Sequence, residues 1–287
     1  MNQNKAGTAR GRESVGAGTL SLATMLNEHL QRQLREAIGP ERFGAVGELT
    51  DWRLGLAGRV DADSLTGRVR TLCPRLSRPE SAMAIALNSF LPWQGNIESL
   101  RLCGVGGFTE LHFDGRCPTG VRGTPPHVDV IAAGPAGVAG VCVRVFDYLG
   151  SRRPSSAAAY RSLAVEAGMT SWTDVLQEAA AYRYLDVAGL AKVAIGLGRI
   201  FMRRPIALLY LFHEPADAAA PAFAAHRAEL GRVIERTAGS TVSLTGRSLH
   251  ELWGEWCKGD TPVAVRAAAA ELCRRYEVAM PTSARAA

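Results

Sequence analysis

Lysine is nearly missing from this chain: of 33 basic residues only Lys5, Lys192 and Lys258 carry an ammonium group. With the excess of alanine and glycine this reads as compositional drift toward arginine, so an arginine can stand where chemistry would ordinarily use a lysine. Long apolar runs are missing too. Pro205 to Phe212 and the glycine-broken stretch from Val130 to Val143 fall short of the roughly 20 residues that cross a bilayer, so no membrane span is expected. No two cysteines form a CxxC pair. None of Cys73, Cys103, Cys117, Cys142, Cys257 and Cys273 has a histidine at metal-ligand spacing, which speaks against a structural zinc site and for buried, reduced thiols. No apolar segment follows the charges of MNQNKAGTARGRESVGAG, so residues 1–19 read as a disordered tail rather than a secretory signal, and the cytoplasm is the expected compartment. Neither an internal repeat nor a low-complexity linker divides the rest.

What remains is ordinary globular material: 287 residues, 47% hydrophobic and 21% charged, enough for one large domain or one domain with an accessory lobe. A net charge of +6 and a pI near 9.2 suit a polyanionic partner without requiring one. Apolar spacing predicts an amphipathic helix over Leu20–Ile38, stopped by Gly39-Pro40. A second helix is expected from Pro79 to Phe90, with Ser77 as its cap. Three strands follow between Phe108 and Leu149, joined by glycine- and proline-rich turns into an antiparallel meander. Helices are then expected over Ser155–Met169, Thr173–Tyr182 and Leu185–Phe201. Ile206–Phe212 reads as a strand buried on both faces. A helix over Pro221–Ala238, a strand over Thr241–Leu244 and two closing helices complete the order. It predicts an α/β (α+β) fold with a mixed central sheet flanked by helices. The expected division is a helical extension over 20–77, a core over 78–260, and a C-terminal helix and tail over 261–287.

Chemistry-bearing residues concentrate on the meander. Alternation along a strand puts Phe108, Glu110, His112 and Asp114 on one face, with His127 and Asp129 on the next strand. Such a cluster either forms a carboxylate-lined cleft able to hold a hard divalent cation or is a solvated sheet face that binds nothing. Asp129 stands apart, because it sits between valines at the start of an apolar strand, where an ionised group needs a partner or a metal. The basic turn Arg116 to Arg122 and the pair Arg152-Arg153 are candidate phosphate contacts, or solvated turns. His213 and His226 read as a strand end and a helix surface, and Trp253 and Trp256 as core contacts at i,i+3.

The sequence Thr124-Pro-Pro-His-Val-Asp-Val130, a glycine turn, then Gly140-Val-Cys-Val-Arg-Val-Phe-Asp-Tyr-Leu149 resembles the PD-(D/E)XK nuclease superfamily. In that family an Asp opens one strand and a Glu-x-Lys follows on the next. Tyr184 to Lys192 is similar to the helix after the catalytic strands, and Ile206 to Pro215 to the following core strand, so the resemblance spans about Ser81 to Trp256. It implies a restriction-endonuclease-like sheet acting on DNA. Its Asp and Glu hold Mg²⁺, with Mn²⁺ as a substitute, and its Lys orients the attacking water.

Asp129 matches the first position. Cys142 and Arg144 stand at the second and third, and Gly189 where related nucleases often carry Gln. A neutral thiol is a poor Mg²⁺ ligand, and arginine stays protonated and cannot serve as a base. Two outcomes stay open. In one, Glu110 or His112 replaces the missing carboxylate beside Asp129, with Arg144 or Lys192 as the cation, and metal-dependent phosphodiester hydrolysis survives. In the other, the cleft binds nucleic acid, with Arg116, Arg122 and Lys192 as contacts, or a protein partner, without hydrolysis. From outside the resemblance, a hydrolase or binder of a small anionic ligand would use Glu110, His112, His127 and Asp129. Asp147 falls off the Cys142/Arg144 face by alternation and is expected to be a strand-end structural residue.

Overall fold

A computed structural model describes residues 21–58, 72, 74–150 and 158–280. The expected tail, Cys73 and Arg152-Arg153 lie outside them.

Helix α1 (Leu22–Ile38) buries Leu26, Leu30, Leu34 and Ile38, one residue per helical turn. The Ser21 hydroxyl accepts from the Thr24 amide at 3.2 Å, satisfying a donor that the first turn leaves free, and Gly39, at φ 112°, ends the helix. Helix α2 (Ala82–Phe90) is buried along almost its whole length. Its cap is Ser81 rather than the expected Ser77: the Ser81 hydroxyl accepts from Ala84 N at 3.1 Å and donates to the Arg75 carbonyl at 2.7 Å. The Ser77 carbonyl accepts from Leu49 N at 2.8 Å. A 3-10 segment (Leu91–Ser99) and a two-strand ribbon, β1 (Arg101–Leu102) with β2 (Val105–Gly106), lead into the sheet.

The central sheet has five strands in the order β3-β4-β5-β6-β7: β3 (Glu110–Arg116), β4 (His127–Gly134), β5 (Gly137–Arg144), β6 (Ile206–Phe212) and β7 (Val242–Ser248). The first three form the expected antiparallel meander, and β5, β6 and β7 run parallel. Between β5 and β6 the chain makes helices α3 (Ala158–Glu166), α4 (Thr170–Gln177) and α5 (Val187–Ile200), and between β6 and β7 helix α6 (Pro221–Thr237). Parallel strands need such crossovers, and covering both faces explains why every residue of β6 is buried. Helices α5 and α6 lie on one sheet face: Gly140 meets Leu197 of α5, where a β-carbon would come within 2.6 Å, and Gly246, on the same face by alternation, meets Leu230 of α6. Helix α2 packs on β4 and β5. Helices α7 (Leu249–Trp256) and α8 (Val263–Arg275) close the chain, with α7 held by a capping box between Ser248 and Glu251. The fold is therefore mixed α/β with helices flanking the sheet, and α1, the sheet and α8 share one hydrophobic core.

One placement differs from expectation. His226 is fully buried, not on a helix surface: its Nε2 is 3.1 Å from the Tyr210 hydroxyl and its ring stacks on Tyr148 with centroids 4.1 Å apart. His213 directly follows the end of β6, as expected, and is fully buried, its Nε2 2.7 Å from the Tyr276 carbonyl. Of the described cysteines, only Cys117 and Cys142 are buried, the others being intermediate.

Candidate functional site

Pairing between β4 and β5 runs up to Val130↔Val141, and the strands separate beyond it. Asp129 stands at this fork, across from Cys142. Its flanking valines, Val128 and Val130, are fully buried. Its Oδ2 accepts from the Val143 amide at 2.7 Å and lies 3.9 Å from Arg144 Nη1. Arg144 Nη1 also donates to the Val143 carbonyl at 2.7 Å, while its Nε lies 4.0 Å from Asp147 Oδ2. The Asp129 and Arg144 side chains are only 18% and 27% exposed. Burial raises the Asp129 pKa above the usual carboxylate value, opposed by Arg144 and the Val143 amide. Burial also works against the Arg144 charge, yet the Asp129 and Asp147 carboxylates beside it leave it more firmly protonated than an ordinary arginine. Burial pushes the Cys142 thiol up to about 12, so it stays neutral. Asp129 is thus both a backbone cap at the fork and the counter-charge of Arg144.

Arg144 opens into a cavity of about 280 Å³ walled by Asp147, Tyr148, the Tyr182–Asp186 loop, the first turns of α5 with Gly189 and Lys192, and Tyr210. Three cations, Arg144, Arg183 and Lys192, face two carboxylates, Asp147 and Asp186. Lys192 Nζ sits 4.7 Å from the Tyr160 ring centroid, and the Arg183 guanidinium 5.2 Å from that of Tyr184. The loop is pinned from below by buried Glu229 on α6, whose carboxylate accepts from the amides of Arg183, Tyr184 and Leu185 at 2.8, 2.8 and 2.9 Å. Asp186 caps α5 through the Gly189 amide at 2.8 Å. A side chain at 189 would run into that cap, which accounts for glycine where the resemblance calls for Gln. Asp147 corrects the expectation drawn from alternation. The strand ends at Arg144, and a 3-10 turn over Asp147–Leu149 re-aims the carboxylate into the cavity.

The other candidates fall elsewhere. Glu110 pairs with Ala133 and His112 with Ile131. Glu110 therefore sits four residues along the sheet from Asp129, about 13 Å at roughly 3.3 Å per residue. Glu110 and His112 are exposed on an edge strand and bond each other at 2.9 Å. The relocated set of Asp129, Glu110 and His112 does not converge and does not fit a single Mg²⁺ or Mn²⁺. The carboxylate nearest in register to Asp129 is Asp114, between the pairs Phe113↔Val130 and Gly115↔Val128. It has φ 52° and is engaged by His127 Nδ1 at 2.9 Å and Arg75 Nη1 at 3.7 Å. Among the described residues no group of three His, Cys, Asp or Glu side chains is placed to hold a metal ion. Arg116 and Arg122 are exposed and stand outside the cavity, whereas Lys192 lines it.

The site thus unites Asp129, Arg144 and Lys192 from the sequence candidates and adds Asp147, Arg183, Asp186 and Glu229. A sequence cue existed only for Asp186, an Asp three residues before Gly189 at a helix start. No helix among the described residues is long and apolar enough to cross a membrane. No family model matches the chain, and neither a curated protein nor a solved structure is significantly similar to it.

Proposed function

We propose that this is a nuclease-like protein of the PD-(D/E)XK type that binds DNA through the Arg144 cleft and does not hydrolyse it. The observation that carries this is Arg144 itself. It occupies the position of the Glu-x-Lys lysine, bears a permanent charge beside Asp129 and opens into the cavity shared with Lys192 and Arg183. Planar guanidinium groups suit the paired oxygens of a phosphate. The order of helix, three-strand meander, helix and parallel strand supports the family reading. The buried neutral thiol of Cys142 supplies no oxygen for a hard cation, and Arg144 Nη1, 3.9 Å from Asp129 Oδ2, puts a positive charge beside the carboxylate that a cation would need. Arg116 and Arg122 add exposed positive charge for a phosphate backbone. Cytoplasmic location belongs to the same proposal and draws support from the free cysteines of the described residues, which fit a reducing compartment.

A second reading, a binder of a small anionic ligand, is favoured by the size of the cavity, about 280 Å³, close to the lower end for small-molecule sites. One experiment separates these readings. Purified protein is incubated with supercoiled plasmid and Mg²⁺ or Mn²⁺, and its affinity for a duplex is measured with and without excess inorganic phosphate. Salt-sensitive duplex binding without cleavage is expected. Metal-dependent cleavage lost in Asp129→Asn would restore the hydrolytic reading, and phosphate binding with no duplex binding would support the small-ligand one.

A further inference from the structure

The far end of α5 carries a second feature that the cleft does not use. The helix ends at Ile200, and the chain turns through Phe201, Met202, Arg203 and Arg204 before Pro205 and β6, with Arg204 N donating to the Phe201 carbonyl at 3.2 Å. Arg203 adopts φ 72°, the left-handed region that favours glycine. Met202 is 73% exposed and Ile200 42%. The loop between β3 and β4 leans on the same end. Gly196 lets the Cys117 carbonyl approach α5, and Gly120 lies so close to Arg199 that a β-carbon there would come 3.2 Å from its Nη2. Arg199, Arg203, Arg204 and Arg122 are all exposed, and none has an ion pair or side-chain hydrogen bond among the described residues.

We infer that this tip is a second nucleic-acid contact, in which Arg199, Arg203, Arg204 and Arg122 engage backbone phosphates and Met202 packs on sugar or base edges. The inference rests on the nucleic-acid reading of the cleft. Unpaired guanidinium groups around an exposed apolar residue match a ligand that is anionic outside and apolar within its grooves. Spacing agrees. Lys192 in the cleft and Arg199 at the tip are seven residues apart on α5, two turns and so on one helix face, about 10 Å. Along one DNA strand that is about three base-pair steps, so one duplex reaches both surfaces. The strained turn is the second sign, because a left-handed arginine costs stability that glycine would not.

The test compares wild type, Arg203→Gly, the triple variant Arg199→Ala/Arg203→Ala/Arg204→Ala, and Arg144→Ala. Each is titrated with a short duplex at several salt concentrations, and with vesicles of phosphatidylcholine containing phosphatidylserine. The triple variant should flatten the dependence of log affinity on log salt by about 2 to 3, near 0.9 for each phosphate that is no longer neutralised. Arg203→Gly should weaken binding severalfold with a melting temperature no lower than wild type, which a purely structural arginine would not do. An unchanged salt slope in the triple variant, with Arg144→Ala still impaired, overturns the tip and leaves the cleft standing. Vesicle binding lost in the triple variant, without duplex binding by wild type, assigns the tip to an anionic lipid surface and overturns both readings. Binding to neither probe by wild type also overturns both.

Discussion

At the residue scale the proposal turns on Cys142 and Arg144, a thiol and a guanidinium on one strand face where the nuclease resemblance calls for a metal-binding carboxylate and a lysine. Arg144 is held by Asp129 and Asp147 at 3.9 and 4.0 Å, separations that leave room for it to bond an incoming phosphate. Arg144→Ala should lower duplex affinity about tenfold or more, in line with the roughly 1.5–3 kcal/mol of a charged hydrogen bond. It should also lower stability by about 1–3 kcal/mol, because it strands the largely buried Asp129 carboxylate. Isothermal titration and urea melts read the two effects separately. Cys142→Glu tests the carboxylate that the resemblance calls for. Tyr210 pairs with position 142 across the sheet and both are buried, so a carboxylate there lacks both space and solvent. Expected are a loss of about 3 kcal/mol or more in a urea melt and no gain of plasmid cleavage.

At the element scale the site is a fork and a helix start. Sequence periodicity places the meander, β6 and α5 correctly because their burial is one-sided or complete, which writes clear periods into the chain. It misleads at Glu110 and His112. Alternation correctly puts them with Asp114 on one strand, but face says nothing about register, and register along an edge strand is set by partners that periodicity does not name. It misses Asp147 because the strand ends at Arg144 and a 3-10 turn rotates the residues beyond it. Glu229 is invisible in the sequence, since its role depends on three amides 44 to 46 residues away. That contact yields a prediction. Glu229→Ala leaves the amides of Arg183, Tyr184 and Leu185 unpaired beneath the cavity, a loss of about 2–4 kcal/mol, and loosens the wall carrying Arg183. Glu229→Gln keeps one acceptor oxygen and should lose less. Thermal melts of the pair, with amide exchange at 183–185, check this directly.

At the scale of the whole molecule, buried imidazoles set the response to acid. Burial lowers the pKa of His213 from 6.5 to about 3, with His250 adding to the shift, and that of His226 from 6.5 to about 4, with Arg227 adding. Both stay neutral in the folded protein, while the unfolded chain takes up protons below its ordinary value. Stability is therefore complete above about pH 6.5. It falls as pH drops toward 4 and then 3, by about 1.4 kcal/mol per pH unit for each histidine. Urea melts between neutral and mildly acidic pH should show this slope, and His226→Gln should reduce it.

With a net charge of +6 and few lysines, the proposed nucleic-acid affinity would be an arginine effect. The most direct measurement is duplex affinity against salt for wild type and for Arg144→Ala/Lys192→Ala, between about 50 and 200 mM. Salt-dependent binding in the wild type, with a slope reduced by about 1 to 2 in the variant, is the predicted result. Equal slopes and affinities in the two proteins would contradict a phosphate-binding cleft.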